Sequence, residues 1–220
     1  MEQKKNIGGI ILVALSAASF GMMPIFAKMA YSAGTSTYTL LFLRFLVGTA
    51  FMFLLLAVKK IPLPSKKEML AFFVLGALGY VGQSFCYFTA LNYASSSTVS
   101  LLLYTYPALV MLGSAFVFKE KITWKKVAAL CIALLGAFVI IGAKFNAGAM
   151  GIILALMSAV FYSIYILVSS KVVKEGQGIQ SSAFIMLGAT VVYGVLNIFV
   201  GFEPPTQFSG FIAIVLIALV

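Results

Sequence analysis

Long unbroken apolar runs alternate with short polar breaks along this chain. The runs cover residues 7–29, 36–57, 69–91, 97–118, 126–143, 150–168 and 180–200, and a further run begins near 210. Most last about 20 residues without strict alternation, which fits the ~20-residue span of a membrane-crossing helix and not the ~10 of a barrel strand. Pro62 and Pro64, Asn92 with Ser95 to Ser97, Asn146 to Gly148, and Pro204–Pro205 punctuate them. The pattern predicts an all-α membrane protein, a polytopic helical bundle.

Composition turns that expectation into a requirement. Of 220 residues, 63% are hydrophobic and 9% charged, where a soluble domain carries about a quarter charged. A globule of this size has no way to cover so much apolar surface with so few polar side chains, so the remainder must meet lipid. In lipid each backbone N–H and C=O needs an internal partner, which helices supply. The bilayer is therefore the first partner predicted for this chain.

A net charge of +10 raises the question of nucleic acid. Such a binder gathers basic residues on a polar face, and this chain has none, so no nucleic-acid partner is expected. Lysine placement instead signals topology. With the N-terminus inside, the inner segments hold twelve lysines: Lys4, Lys5, Lys59, Lys60, Lys66, Lys67, Lys119, Lys121, Lys125, Lys126, Lys171 and Lys174. The outer loops hold Lys144 alone. That asymmetry predicts a multi-pass protein of the plasma or inner membrane with a cytoplasmic N-terminus. The stretch from Lys4–Lys5 through Ile10 to Leu15 resembles a signal peptide, but the apolar run continues to Met29, which argues for a first span.

Little catalytic chemistry is available. The chain has no His and no Asp, and its five acids, Glu2, Glu68, Glu120, Glu175 and Glu203, sit at span ends or in loops. Cys86 and Cys131 fall in different spans without metal-type spacing, and both read as small buried apolar residues without a disulfide. Neither a metal nor a cofactor is expected. An enzyme needs a nucleophile or acid–base pair, so the pattern argues against one.

A shift of 142 residues lays the first span on the sixth. Gly9-Ile10-Ile11-Leu12 meets Gly151-Ile152-Ile153-Leu154, Ser16-Ala17 meets Ser158-Ala159, Phe42 meets Phe184, and Pro62 meets Pro204. One repeat is then five spans long. Five is odd, so the second copy enters the membrane from the opposite side, an arrangement many secondary transporters use. Residues 1–147 form a first five-helix repeat in this reading, and residues 148–220 start a second. Val220 corresponds to Leu78, within the third span of the first copy. The second repeat is expected to be incomplete within its third helix, with a full copy needing about 70 more residues.

The residues carrying the loops and span ends resemble a known family. Arg44-Phe45 lies in the second span, and Tyr87-Phe88-Thr89-Ala90-Leu91-Asn92-Tyr93 precedes Ala94-Ser95-Ser96-Ser97. The fourth span holds Pro107 and ends in Phe118-Lys119-Glu120-Lys121-Ile122-Thr123, and Gly136 follows in the fifth. The first 143 residues thereby resemble one EamA-type repeat of the drug/metabolite transporter superfamily, and residues 150–220 the start of another. Lys119 stands where that family usually has glycine, and its usual tryptophan near Phe20-Gly21 is missing. The resemblance implies ten helices, cytoplasmic termini, a central substrate cavity and export of metabolites or amino acids. A homodimer is compatible with it.

Polar residues inside spans nominate the cavity. Arg44 lies eight residues into the second span, roughly 12 Å from its end. An intramembrane Arg costs at least ~2.5 kcal/mol and marks a cavity or a pairing partner. No acid lies at its depth, so it meets a substrate carboxylate or phosphate, snorkels to the outer interface, or caps a neighbour's backbone carbonyls to lock two helices. Tyr80, Gln83, Ser84 and Tyr87 share one face of the third span by their i, i+3, i+4, i+7 spacing. Ser97, Ser100 and Tyr104 follow on the fourth, before Pro107. Ser158, Tyr162, Tyr165 and Ser169 line the sixth. Each stripe serves interhelical bonding or a cavity, and three together suit an amphipathic organic solute. Lys28 is read as a snorkelling residue, Pro107 as a loosened point in its helix, and Glu120 among its lysines as an anchor or gate. Gly76, Gly79 and Gly82, with Gly113 to Ala115, permit close and sliding helix contact.

Overall fold

The structure is a computed structural model, and it describes residues 7–141 and 148–219. Eight helical segments follow one another: α1 Ile7–Ser32, α2 Thr37–Val58, α3 Lys66–Ala90, α4 Ser96–Val117, α5 Trp124–Ile141, α6 Ala149–Val172, α7 Gly178–Val200 and α8 Phe208–Leu219. Lys4, Lys5, Lys144 and the Asn146 break lie outside the described residues, as do Glu2 and Val220. Five helices, α2, α3, α4, α6 and α7, are 22–25 residues long with mean hydropathy of 1.6–2.3. At most 39% of the most apolar stretch of each is buried. The exposed remainder, with Phe116 at 90% and Phe199 at 81%, is the surface that lipid must cover.

Local chemistry sets the ends. Ser65 and Glu68 form a capping box, each bonding the other's backbone, so α3 starts at Lys66, three residues ahead of its apolar run. Ser36 and Ser95 cap α2 and α4 by accepting from Thr39 N and Thr98 N. α6 continues to Val172, past residue 168, and within this last stretch Ser169 and Ser170 donate their hydroxyls to the Ile166 and Leu167 carbonyls.

α2 and α7 form the central antiparallel pair. Phe45 stacks on Tyr193 with centroids 5.7 Å apart. Thr49 and Thr190 share a hydrogen bond of 2.9 Å. Asn197 accepts from Thr39 at 2.8 Å and donates to the Tyr38 and Tyr193 carbonyls at 3.0 and 2.7 Å. Around this pair α1 packs on α8, α3 packs on α6 and α7, and α2 also meets α8. Both halves of α4 rest on α6, while α5 packs chiefly on the Ser96–Leu103 half of α4.

Two features were not legible beforehand. Residues Leu75–Tyr80 of α3 form a π-helical turn, a local insertion often found at functional sites. It sits where α3 crosses α7 most closely: a Cβ on Gly76 would strike the Ile185 carbonyl, and one on Gly188 the Phe73 carbonyl. Gly79 and Gly82 instead face the Tyr165 and Phe161 rings of α6. The reading of both cysteines as buried needs a correction. Cys86 is buried, but Cys131 is exposed on α5, because that peripheral helix has few protein neighbours and turns its side chains outward.

Gly76→Ala and Gly188→Ala are expected to destabilise the bundle by about 1–3 kcal/mol, the usual cost of overpacking, and to lower Tm in detergent. Gly178→Ala, with open space at its Cβ, is expected to leave Tm unchanged or raise it slightly.

Candidate functional site: a hydroxyl-lined cavity beside an aromatic cluster

α4 carries the polar wall of the site because it is broken midway. Its helical geometry lapses at Tyr104–Thr105, and Pro107 has no N–H for the Leu103 carbonyl. The neighbouring Leu102 carbonyl accepts from both the N–H and the hydroxyl of Thr105, at 3.2 and 2.7 Å. The break turns Tyr104 and Tyr106 toward the gap between α1, α4 and α5.

That gap is a cavity of about 1110 Å³. Ser96, Ser97, Ser100, Tyr104 and Tyr106 supply hydroxyls along its α4 wall. Ala129, Leu130, Ala133 and Leu134 of α5 make an aliphatic wall opposite, and Pro24 and Ile25 close it from α1. One mouth holds Glu120, Lys121 and Lys126, with Lys126 paired to Glu120 at 3.2 Å. This pair is half exposed on both sides and is therefore worth little to stability. The combination of apolar walls and a few hydroxyls is that of a small-molecule pocket.

Of the residues nominated from the sequence, Ser100, Tyr104, Pro107 and Glu120 line this cavity, with Ser97 beside them. Tyr162 and Tyr165 lie behind it in an aromatic chain. Tyr106 meets Tyr162 at 4.6 Å, Tyr162 stacks on Tyr165 at 6.0 Å, Tyr165 meets Tyr80 at 5.2 Å, and Tyr80 meets Phe45 at 5.6 Å. Tyr87 reaches the wall indirectly through Ser100, with oxygens 3.3 Å apart. Gln83 and Ser158 lie away from the cavity in the α3–α6 interface: Gln83 donates to Ser158 Oγ at 3.4 Å, and Ser158 donates to the Gln83 carbonyl at 3.1 Å. Lys28 donates to the Ala94 carbonyl at 3.1 Å, holding α1 to the turn between α3 and α4.

Arg44 resolves its cost with aromatic faces. Its guanidinium carbon lies 5.2 Å from the Phe45 ring centroid and 5.1 Å from that of Phe88. Two such contacts, at about 0.5–2 kcal/mol each, offset part of a charge penalty of about 2.5–3.5 kcal/mol. No carboxylate pairs with it among the described residues, so its N–H edges are free for an anion.

Tyr106, Phe45, Phe88 and Tyr193 were absent from the sequence-based selection. Tyr106 carried a signal, since it precedes the helix-loosening Pro107. Phe45 adjoins Arg44 but is offset by about 100° on the helix, and Phe88 and Tyr193 reach the cluster only through folding. Tyr193 is fully buried and bonds Ser84 Oγ at 2.9 Å and the Val81 carbonyl at 3.0 Å.

Fold and site together define a multi-pass helical membrane protein with a lateral solute-sized cavity. The model of the EamA-like transporter family matches residues 7–142, and the chain belongs to that family. Two Bacillus subtilis (strain 168) proteins, the uncharacterized transporters YcbK and YdfC, are 23% and 29% identical over 84% and 72% of this chain. An uncharacterized transporter of Haemophilus influenzae is 22% identical over 88% of it. The matches cover 62%, 54% and 65% of those three relatives, so the chain spans less than two thirds of their length. A crystal structure 22% identical in sequence superposes with a TM-score of 0.67, covering 91% of this chain and 72% of that one. It shares the fold.

Tyr193→Phe is expected to cost about 1 kcal/mol, the net worth of its hydroxyl's bonds, read as a lower Tm in micelles, while the Phe45 stacking persists.

Proposed function

We propose that this protein carries small organic solutes, amino-acid-like or amphipathic, out across the cell membrane by alternating access. The cavity is the observation that carries this reading. Its hydroxyl wall faces an aliphatic wall, which suits a solute with one polar and one apolar side, and family membership points the same way. The outward direction rests on the resemblance to metabolite exporters.

The lysine-rich end of the bundle, at Lys59–Lys60, Lys66–Lys67, Lys119–Lys126 and Lys171–Lys174, is the cytoplasmic end in this reading, by the positive-inside rule. The N-terminus then lies in the cytoplasm. Alternating access draws support from a two-fold pattern of contacts. Under the 142-residue offset α1 maps on α6, α2 on α7 and α3 on α8. The α1–α8 contact becomes α6–α3, α2–α8 becomes α7–α3, and α2–α7 maps on itself. Gly34 and Gly176 are equivalent under the same shift and take φ of +86° and +82°. Two inverted five-helix repeats, at 1–147 and from 148 onward, account for this pattern. Arg44 does not line the cavity; in this reading a solute carboxylate or phosphate meets its N–H edges at another stage of transport.

Flux of amino acids and amphipathic carboxylates in proteoliposomes tests the proposal. Tyr104→Ala is expected to lower transport efficiency about tenfold, equivalent to ~1.4 kcal/mol. Arg44→Gln is expected to do the same for carboxylates and to spare their neutral amides. Phe199→Ala, on the lipid face, serves as the unaffected control. Rates that survive Tyr104→Ala and Arg44→Gln unchanged would sink the site assignment, and absence of flux for every solute would sink the transport reading.

A further inference from the structure

At the lysine-rich end a four-residue network ties the first turn of α3 to the turn between α6 and α7. Lys174 Nζ donates to Glu68 Oε1 at 2.8 Å, and Gln177 Nε2 donates to the same oxygen at 3.1 Å. Ser65 N and Oγ both donate to Glu68 Oε2, at 2.9 and 2.8 Å. The Glu68 side chain is only 22% exposed while that of Lys174 is 73% exposed. The carboxylate is thus held by three residues in a largely covered position, yet its cationic partner stays open to solvent and salt.

The opposite end has the corresponding joint. The 142-residue offset places Ser65–Glu68 on Gln207–Gly210, and Lys174–Gln177 on Ser32–Thr35. The segments around those positions also meet: Thr206 N and Oγ1 both donate to the Ala33 carbonyl, at 2.9 and 3.0 Å. A Cβ on Gly210 would press on Ala33. One joint is ionic and the other is not, so salt and charge substitutions act on one end alone.

α3 is built to bend just beyond the ionic joint. The π turn Leu75–Tyr80 separates Lys66–Val74, which rests on α7, from Val81–Ala90, which rests mainly on α6. A π turn interrupts the regular hydrogen-bond ladder of the helix. Against α7 the first half brings the Phe73 carbonyl onto Gly188, and the turn brings Gly76 onto the Ile185 carbonyl, while Phe72 and Leu75 pack with Ile185 as the apolar cluster the pivot would have to carry or break.

We propose that Lys66–Val74 is a gate that pivots on the Leu75–Tyr80 turn and is held shut by the Glu68–Lys174–Gln177 network. Release of Glu68 parts the first turn of α3 from the α6–α7 turn, a separate opening from the Glu120–Lys126 mouth of the cavity at that end. The proposal rests on the alternating-access reading, so its test reads distance and not flux.

Spin labels on K66C and E175C, both exposed positions, are placed in the full chain carrying C86A and C131A, in lipid nanodiscs. Electron–electron distance measurements are expected to show one short population. Glu68→Gln and Lys174→Gln each raise the ratio of long to short distances about fivefold, the scale of one charge-assisted contact. The charge-exchanged pair E68K/K174E restores the short distance, and about 1 M salt, which shortens the screening length to ~3 Å, mimics Glu68→Gln. Lys126→Gln, which breaks the Glu120–Lys126 pair at the same end, leaves the distribution unchanged. Unaltered distances in Glu68→Gln and Lys174→Gln, or equal widening in Lys126→Gln, would overturn the gate. Widening confined to the network variants upholds it even if no solute is carried, in which case the transport reading alone falls.

Discussion

The antiparallel crossing of α2 on α7 is the contact on which the rest of the bundle depends. Lipid is as apolar as the helix surfaces, so apolar burial gives helices little reason to associate, and close packing and internal hydrogen bonds take over. The α2–α7 seam supplies both. Phe45 lies flat on Tyr193, Thr49 bonds Thr190, and Asn197 ties Thr39 and the Tyr38 carbonyl to its own helix. Each such bond contributes modestly, about 0.6–2 kcal/mol. Together they fix one register, because a slip of a single residue would leave Asn197 unpaired in a medium where that costs more than the bond is worth.

From this seam the site is positioned by propagation. Tyr193 holds Ser84 of α3, and Phe45 holds Tyr80 and one face of Arg44. Tyr80 carries the aromatic chain through Tyr165 and Tyr162 to Tyr106 on the cavity wall. The cavity's back is thus anchored in the core, and its front is formed by α5. Its polar side is the broken stretch of α4 around Pro107, where the hydroxyls of Ser100, Tyr104 and Tyr106 gather.

The sequence was informative where periodicity meets a uniform solvent. Lipid surrounds every span alike, so the helical class and the approximate helix ends follow from apolar run length. Residues bonded within their own element were also legible, such as Ser95 and the capping pair Ser65–Glu68. The polar stripes were legible only as stripes. Tyr80, Gln83, Ser84 and Tyr87 share a face of α3, yet they serve four surroundings: the aromatic chain, Ser158 of α6, Tyr193 of α7 and Ser100 of α4. A helical face about 10 Å wide touches several neighbours, and which neighbour a residue meets depends on how the helices cross. The π turn was hidden for the same reason. Gly76 and Gly79 announce close contact, but only the Ile185 and Phe73 carbonyls of the α3–α7 crossing require the extra residue to be accommodated there.

What the chain determines by itself is a set of apolar helices, their alternating direction and the lysine asymmetry between their ends, because each follows from local hydropathy and charge. The tertiary structure decided that Arg44 rests on two phenylalanine rings, that Gln83 and Ser158 bond one another away from the cavity, and that Ser100, Tyr104 and Tyr106 share the wall of an open space. Those outcomes depend on which residues distant in sequence meet when α2 and α7 cross. A one-dimensional pattern carries the periodicity of each helix but not the angle and depth at which two helices pack.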